Sequence, residues 1–399
     1  MMHFKTALLA TSALAVTASM ASAGGIDRSR LPYAGMFEEG TYAELGFSTV
    51  NPSVSGAYGP AGIGAGTLFG SPGTTTGNMA ESYTTLSLGF KTDINDKLSV
   101  GLFVNQPYGA DAKYTAGFYN GLEAHWSSEQ IAALIKYDVG SGVSVYGGAK
   151  YVTSEAQIAI PDRMIRASMT AAGGSAAALA GAAPAGTLAY NASTESDSQT
   201  ALIVGAAYEK PEIALRVGLT YEQGFTHSFA SRETLPAFAA TPLGGLRTGT
   251  TNIEMPRSIA LDFQSGVAKD TLVFGMIKYT NWSVWEVRPP LYNAAFNDDV
   301  TSIDNDVMTY QLGVGRRLND NLSVFGRVTY EEAKGGVASR LSPTDGSTSF
   351  GVGATYRKDN LKITGGIEYA KLGDTTDASG TKFSGSDAVG LGVQIGYSF

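Results

Sequence analysis

Cysteine is absent from the 399 residues, which excludes a disulfide framework and a thiolate metal site. Charge is sparse. Charged residues make up 16%, below the roughly 25% of an ordinary globular chain. The net charge of -8 gives no basic footprint for nucleic acid. Beyond the N-terminus no stretch offers about 20 apolar residues for a transmembrane helix. The nearest, "AAGGSAAALAGAAPAGTLA", is broken by glycine and proline and reads as a flexible or weakly helical loop. Histidine is nearly missing: past the first residues only His125 and His227 remain. Ser228 follows His227, but neighbours on a strand point to opposite faces, and no serine sits on a G-x-S-x-G elbow. We therefore expect no enzyme, no cofactor and no metal.

What is present is glycine and tyrosine, fifty and twenty residues. Glycine costs about 1 kcal/mol in a helix and aromatics favour strands, so the composition favours many strands. The N-terminus reads as an export signal. Lys5 supplies the positive charge, "ALLATSALAVTASM" a short apolar core, and Ala21, Ser22 and Ala23 a small-residue cleavage site. This divides the chain into a signal peptide at 1–23, an N-terminal segment at 24–40 and a strand-rich body at 41–399.

The body repeats one pattern. "LSVFGRVTY", "LKITGGIEY", "TLVFGMIKY" and "VSVYGGAKY" alternate apolar and polar residues with period two, the mark of a strand. Each is about as long as a tilted membrane-crossing strand of 9–11 residues. Fourteen such segments can be counted, with connections that alternate strictly between tight and long. The tight ones are "DINDK", "VGSGV", "KPE", "AKD", "LNDN" and "KDN"; the long ones fall near 58–79, 108–122, 163–186, 229–249, 289–305, 335–345 and 374–383. Outer-membrane barrels sort their loops this way, with short periplasmic turns and longer external loops. The tyrosines agree. Tyr151, Tyr221, Tyr279, Tyr330 and Tyr369 fall near the upper ends of ascending strands. Tyr137, Tyr208, Tyr356 and Tyr397 fall near the lower ends of descending ones. All keep the outward parity, as two aromatic girdles require. The expected fold is all-β: a transmembrane antiparallel β-barrel of about fourteen strands, with "GGIDRSRLPYAGMFEEG" as a short luminal plug.

Parity also nominates the lumen. Phe103, Tyr146, Phe274, Met276 and Phe325 face inward with Lys278, Arg327, Lys150, Arg216, Glu222, Asp262, Lys362 and Glu368. Either these residues fill the barrel and pair as salt bridges, or they form an apolar site with cations for an amphiphilic anion. In the loops, Phe229 and Phe238 suggest a contact surface. Arg163, Arg166 and Arg232 suit the anionic end of a ligand, lipopolysaccharide phosphates, or open water.

Three stretches resemble the FadL family of outer-membrane transporters for long-chain fatty acids and hydrocarbons (the OMPP1/FadL/TodX group). They are "MPRSIALDFQSGVAKDTLVFGMIKYTNWSVWEV", "LSVGLFVNQPYGADAKY" and "DVMTYQLGVGRRLNDNLSVFGRVTYEEAK". "VGLGVQIGYSF" is similar to the family's last strand. The resemblance implies a fourteen-stranded barrel with an N-terminal hatch and passive movement of a hydrophobic ligand. It implies capture between the third and fourth external loops, 163–186 and 229–249, and lateral exit at a kinked third strand, where Pro107 stands. It also implies that a C-terminal strand ending in Phe399 addresses the chain to the barrel assembly machinery of a Gram-negative outer membrane. The family's "NPA" hatch element is absent; only "NPS" at Asn51, Pro52 and Ser53 is similar, and it falls inside the first strand. We expect a monomer in contact with lipid and lipopolysaccharide. The competing reading is an open diffusion porin for small polar solutes, which bilayer conductance separates from a plugged barrel.

Overall fold

A computed structural model describes residues 25–30 and 32–399. The signal-peptide reading of 1–23 and the start at Gly24 lie outside the described residues.

Fourteen antiparallel crossings make the wall. They are β1 (Tyr42–Ser53), β2 (Tyr83–Asn95), β3 (Leu98–Asn105 and Gly109–Lys113), β4 (Glu123–Gly140) and β5 (Val143–Ile160). Next come β6 (Tyr190–Thr194 and Asp197–Lys210), β7 (Leu215–Glu222 and Phe225–Thr234) and β8 (Leu246–Met255 and Ser258–Ala268). The last six are β9 (Thr271–Thr280), β10 (Val307–Arg317), β11 (Leu322–Glu331), β12 (Ser347–Lys358), β13 (Leu361–Leu372) and β14 (Asp387–Ser398). β1 pairs with β2 on one side and with β14 on the other, from Tyr42 opposite Ser398 to Ser53 opposite Asp387. The ring is closed, which leaves no free edge to bare backbone groups to lipid.

Alternation sorts the side chains as the sequence pattern requires. On β14, Val389, Leu391, Val393, Ile395 and Tyr397 are exposed, while the small residues between them face in. Tyr151, Tyr330 and Tyr369 at one rim and Tyr137, Tyr208, Tyr356 and Tyr397 at the other are all exposed. They bracket a belt of exposed Leu, Val, Ile and Phe, the lipid face of such barrels. The tight turns carry strain where it is tolerated. In "VGSGV", Gly140, Ser141 and Gly142 all have positive φ, at 107°, 56° and 79°. Glycine enters that region without steric cost.

Two loop boundaries differ from expectation. β7 continues to Thr234 and β8 begins at Leu246, so the loop expected at 229–249 shrinks to 235–245. β3 resumes at Gly109, inside the loop expected at 108–122. Above the bilayer both sides of the wall are wet. There the pattern inverts, with Thr226 and Ser228 exposed outside and His227 and Phe229 buried inside. A lipid-face template misreads such a stretch as loop.

The external loops fold over the mouth with four short helices: α1 (Pro60–Leu68), α2 (Asp162–Ala172), α3 (Gly174–Ala182) and α4 (Pro290–Phe296). Met164, Ile165, Met169, Leu235, Phe238 and Leu291 share one apolar cluster there. Among the described residues no helix is long and apolar enough to cross a membrane.

Candidate functional site

Residues 25–40 run across the inside of the ring. Arg28 pairs with Asp111 on β3 at 2.5 Å and Arg30 with Glu368 on β13 at 3.2 Å. Asp27 lies 3.5 Å from Lys278 on β9, and Glu38 is 2.5 Å from Lys362 on β13. The Tyr33 hydroxyl donates to Glu222 on β7 at 3.3 Å, and its ring meets Phe103 edge-on at 5.8 Å. Partners on opposite sides of the barrel place this segment across the lumen. Phe37 sits against Tyr146 at 5.6 Å with the Arg216 guanidinium 4.5 Å over its ring, a cation–π contact.

The wall breaks at residues 106–108. The ladder between β2 and β3 ends at Leu88 opposite Val104 and returns only as a lone bridge between Ala80 and Ala112. Pro107 has no N–H to lose there. The N-terminal segment takes up the freed groups: Arg28 N donates to Pro107 O at 2.8 Å, and Gly109 N donates to Ile26 O at 2.9 Å. The cleft so formed is lined by Arg28, Arg30, Thr85, Asn105 and Gln106, and opens beside Phe47, Leu86 and Leu88 on the lipid face. Pro107 thus stands at a side opening in the wall.

Above the segment lies an apolar chamber. Ile26, Trp126, Ile253, Trp285, Val287 and Ile303 line it, and no Asp, Glu, Lys or Arg does. Trp126 meets Phe229 and Trp285 edge-on at 5.5 and 6.1 Å. The indole N–H of Trp126 donates to Ser128 at 2.9 Å, whereas that of buried Trp285 has no partner. At about 80 Å³ the chamber is smaller than the roughly 150 Å³ cavity that takes benzene, so a cargo must widen it. A larger vestibule of about 760 Å³ lies outside it. Met164, Ile165, Met169, Tyr292 and Phe296 give the vestibule an apolar side. Ile158, Val300, Ile303 and Leu341 line both spaces, so the two lie side by side with these side chains between them.

The residues nominated from sequence divide into three groups. Phe103, Tyr146, Phe274, Met276, Phe325, Lys278 and Arg327 do face the lumen, but they are packed there. Phe274 and Phe325 pair at 6.4 Å with Leu272 and Ala214, near the periplasmic turns. Arg327 donates to Glu368 at 2.5 Å, and Lys150 and Arg216 pair with Glu222 and Asp262 at 2.6 and 3.2 Å. Phe103, Tyr146 and Lys278 meet Tyr33, Phe37 and Asp27 of the N-terminal segment, and the cations of this wall stand in ion pairs. Buried charges need partners, and the segment supplies several of them.

The loop arginines form no common site either. Arg166 grips Asp162 through two bonds of 2.8 and 2.9 Å. Partial burial alone would raise the Asp162 carboxyl, but the Arg166 bonds and the Leu188 amide outweigh it and hold it below the usual range. Arg163 donates to the Asn120 carbonyl. Arg232 is exposed on the outer face of β7, beside Lys113 and His125. Phe238 packs on Phe296 at 6.1 Å within the cap. Phe229 is a strand residue, not a loop residue, and joins the upper chamber's cluster. The large cleft lies between the third, fifth and sixth external loops, with Thr375 and Ala378 of the seventh at its edge.

Sequence reasoning missed Trp126, Ile253, Trp285 and Ile303. A signal existed: the chain's only tryptophans, Trp126, Trp282 and Trp285, all converge in one buried cluster.

A closed fourteen-stranded barrel with a lipid belt, a lumen crossed by the N-terminal segment, an apolar chamber beside an external vestibule and a cleft in the wall is the build of an outer-membrane transport protein. Comparison narrows this. Residues 10–399 match the model of the outer membrane transport protein family OMPP1/FadL/TodX, and the chain belongs to that family. Its fold is similar to that of a Pseudomonas aeruginosa FadL homologue, at TM-score 0.72, 14% identity and 92% of each chain. It is also similar to the Pseudomonas putida toluene transporter TodX, at TM-score 0.61, 14% identity, 96% of this chain and 97% of that one. None of the curated proteins matches it.

Proposed function

We propose that this chain is a passive conduit carrying hydrophobic compounds across the outer membrane. Cargo enters the vestibule, passes the tryptophan chamber and leaves sideways at the β3 break, with residues 24–40 as the plug. One observation supports this reading: a vestibule with apolar helical residues adjoins a chamber that no Asp, Glu, Lys or Arg lines, and the N-terminal segment lines both that chamber, through Ile26, and the wall break, through Arg28 and Arg30. Apolar burial stabilises cargo by about 0.8 kcal/mol per CH₂, and the exit delivers it to a phase it prefers. A lumen crossed by an ion-paired segment opposes an open porin for polar solutes. Phe399 we take for the assembly signal, in a monomer surrounded by lipid and lipopolysaccharide.

The test is binding and liposome uptake of radiolabelled hydrophobic compounds. Trp285→Ala is expected to weaken binding at least tenfold while heat-modifiable mobility of the barrel stays unchanged. A large, steady conductance in planar bilayers, or binding no better than that of an unrelated barrel, refutes the proposal.

A further inference from the structure

The vestibule's lining is of two unlike kinds. Beside the apolar residues of α2 and α4 stand seven carboxylates, including Asp298, Asp299, Asp304, Asp306, Glu332 and Asp345, against two cations, Lys334 and Arg340. Neither cation is at the disposal of a ligand. Lys334 is held by Glu332 at 2.6 Å. Arg340 donates to the Tyr119 hydroxyl at 3.2 Å, stacks 5.4 Å over the Tyr119 ring and lies 3.7 Å from Asp377. Further in, the chamber offers no Lys or Arg, and its Trp285 N–H is a neutral donor left without a partner. The first cations on the inward route, Arg28 and Lys278, face Asp111 and Asp27.

A carboxylate headed inward thus meets a field of its own sign and then an apolar chamber with no counter-ion. A cleft lined by one sign of charge depletes like-charged solutes as it enriches opposite ones, by factors of about 10 to 1,000. Stripping an unpaired carboxylate of water is costly in addition. We infer that this transporter selects uncharged hydrophobic compounds and turns away long-chain carboxylate anions, with the acidic lining of the vestibule as the selector. The inference rests on the reading of the passage as the cargo's route. It chooses between the long-chain fatty acids and the other hydrophobic compounds that the sequence left open.

The experiment compares purified full-length protein binding 1-dodecanol and dodecanoate, in mildly alkaline buffer of low ionic strength without divalent cations. Wild type is expected to favour the alcohol by about tenfold or more. Salt screens charge over about 8 Å at physiological strength and less at higher strength, so raising salt is expected to narrow the gap in wild type. The Asp298→Asn, Asp299→Asn, Glu332→Gln variant, which also frees Lys334, is expected to bind dodecanoate severalfold better with dodecanol unchanged. Equal binding of the two by wild type, or a preference indifferent to salt, overturns the inference and leaves the transport proposal standing. Binding of neither overturns both.

Discussion

The segment that crosses the lumen, which we propose as a plug, carries the ion pair of Glu38 with Lys362 at its end, and that pair gives the sharpest test of whether the segment closes the lumen. Glu38 and Lys362 stand 2.5 Å apart, and each side chain is 8% exposed. Changing Glu38 to Ala leaves a buried ammonium without its partner. Breaking such a pair from one side costs about 3–5 kcal/mol. Glu44 also acts on Lys362 and takes up part of the loss, so we take the low end. At 1.4 kcal/mol per tenfold, about 3 kcal/mol raises the population of undocked segment roughly 100-fold. The assay is single-channel recording in planar bilayers. Wild type is expected to conduct rarely, and Glu38→Ala to open far more often. The decisive control replaces both partners. Apolar pairs often match or exceed buried ion pairs in stability, so Glu38→Leu with Lys362→Met is expected to restore the quiet state. If Glu38→Ala gates like wild type, the ion pair does not hold the segment. If the double variant is as leaky as the single one, the loss comes from something other than the stranded charge.

Three further outcomes follow from the same geometry. Burial raises the Asp306 carboxyl, but hydrogen bonds from Tyr279, Ser283 and Asn281 together outweigh it and hold it down at about 2. A depressed carboxylate stabilises above its ordinary value of 3.8 and loses this as pH falls toward about 2, so hydrogen exchange in residues 281–306 should quicken across that window in wild type and lose its pH dependence in Asp306→Asn. Leu312 is 58% exposed on the lipid belt, and Leu312→Arg should cost up to about 2–4 kcal/mol near the midplane, measured by reversible unfolding in vesicles. Phe325→Ala should cost about 3–5 kcal/mol as a large-to-small core change yet leave cargo affinity unaltered, because Phe325 packs with Leu272 and Ala214; a matching loss of affinity in a folded variant would return it to the cargo site.

The wall was legible because its cause is local. Period-two alternation assigns lipid and lumen faces one residue at a time, and the sorting of tyrosines and loops follows from where each strand meets the interface. Val389 to Tyr397 carry that information alone. Pro107 was legible for the same reason, since a missing N–H ends a ladder wherever it falls. That residues 24–40 have no place in the wall was legible too, since they lack the alternation.

The lumen was not legible in this way. Parity places Lys278, Arg327 and Glu368 inside but does not say whether they meet a ligand, each other, or residues more than two hundred positions away. Asp27 with Lys278 and Arg30 with Glu368 are pairings of that kind. The chamber depends on two tryptophans from distant stretches, Trp126 and Trp285, and the acidic vestibule on separate loops folding toward one another. So the sequence by itself determined the barrel and the membrane it belongs to, because alternation, girdles and turns act over a few residues. Only the tertiary structure decided which charges are consumed and which sign faces the cargo, because ion pairing across a lumen is a matter of distance in space.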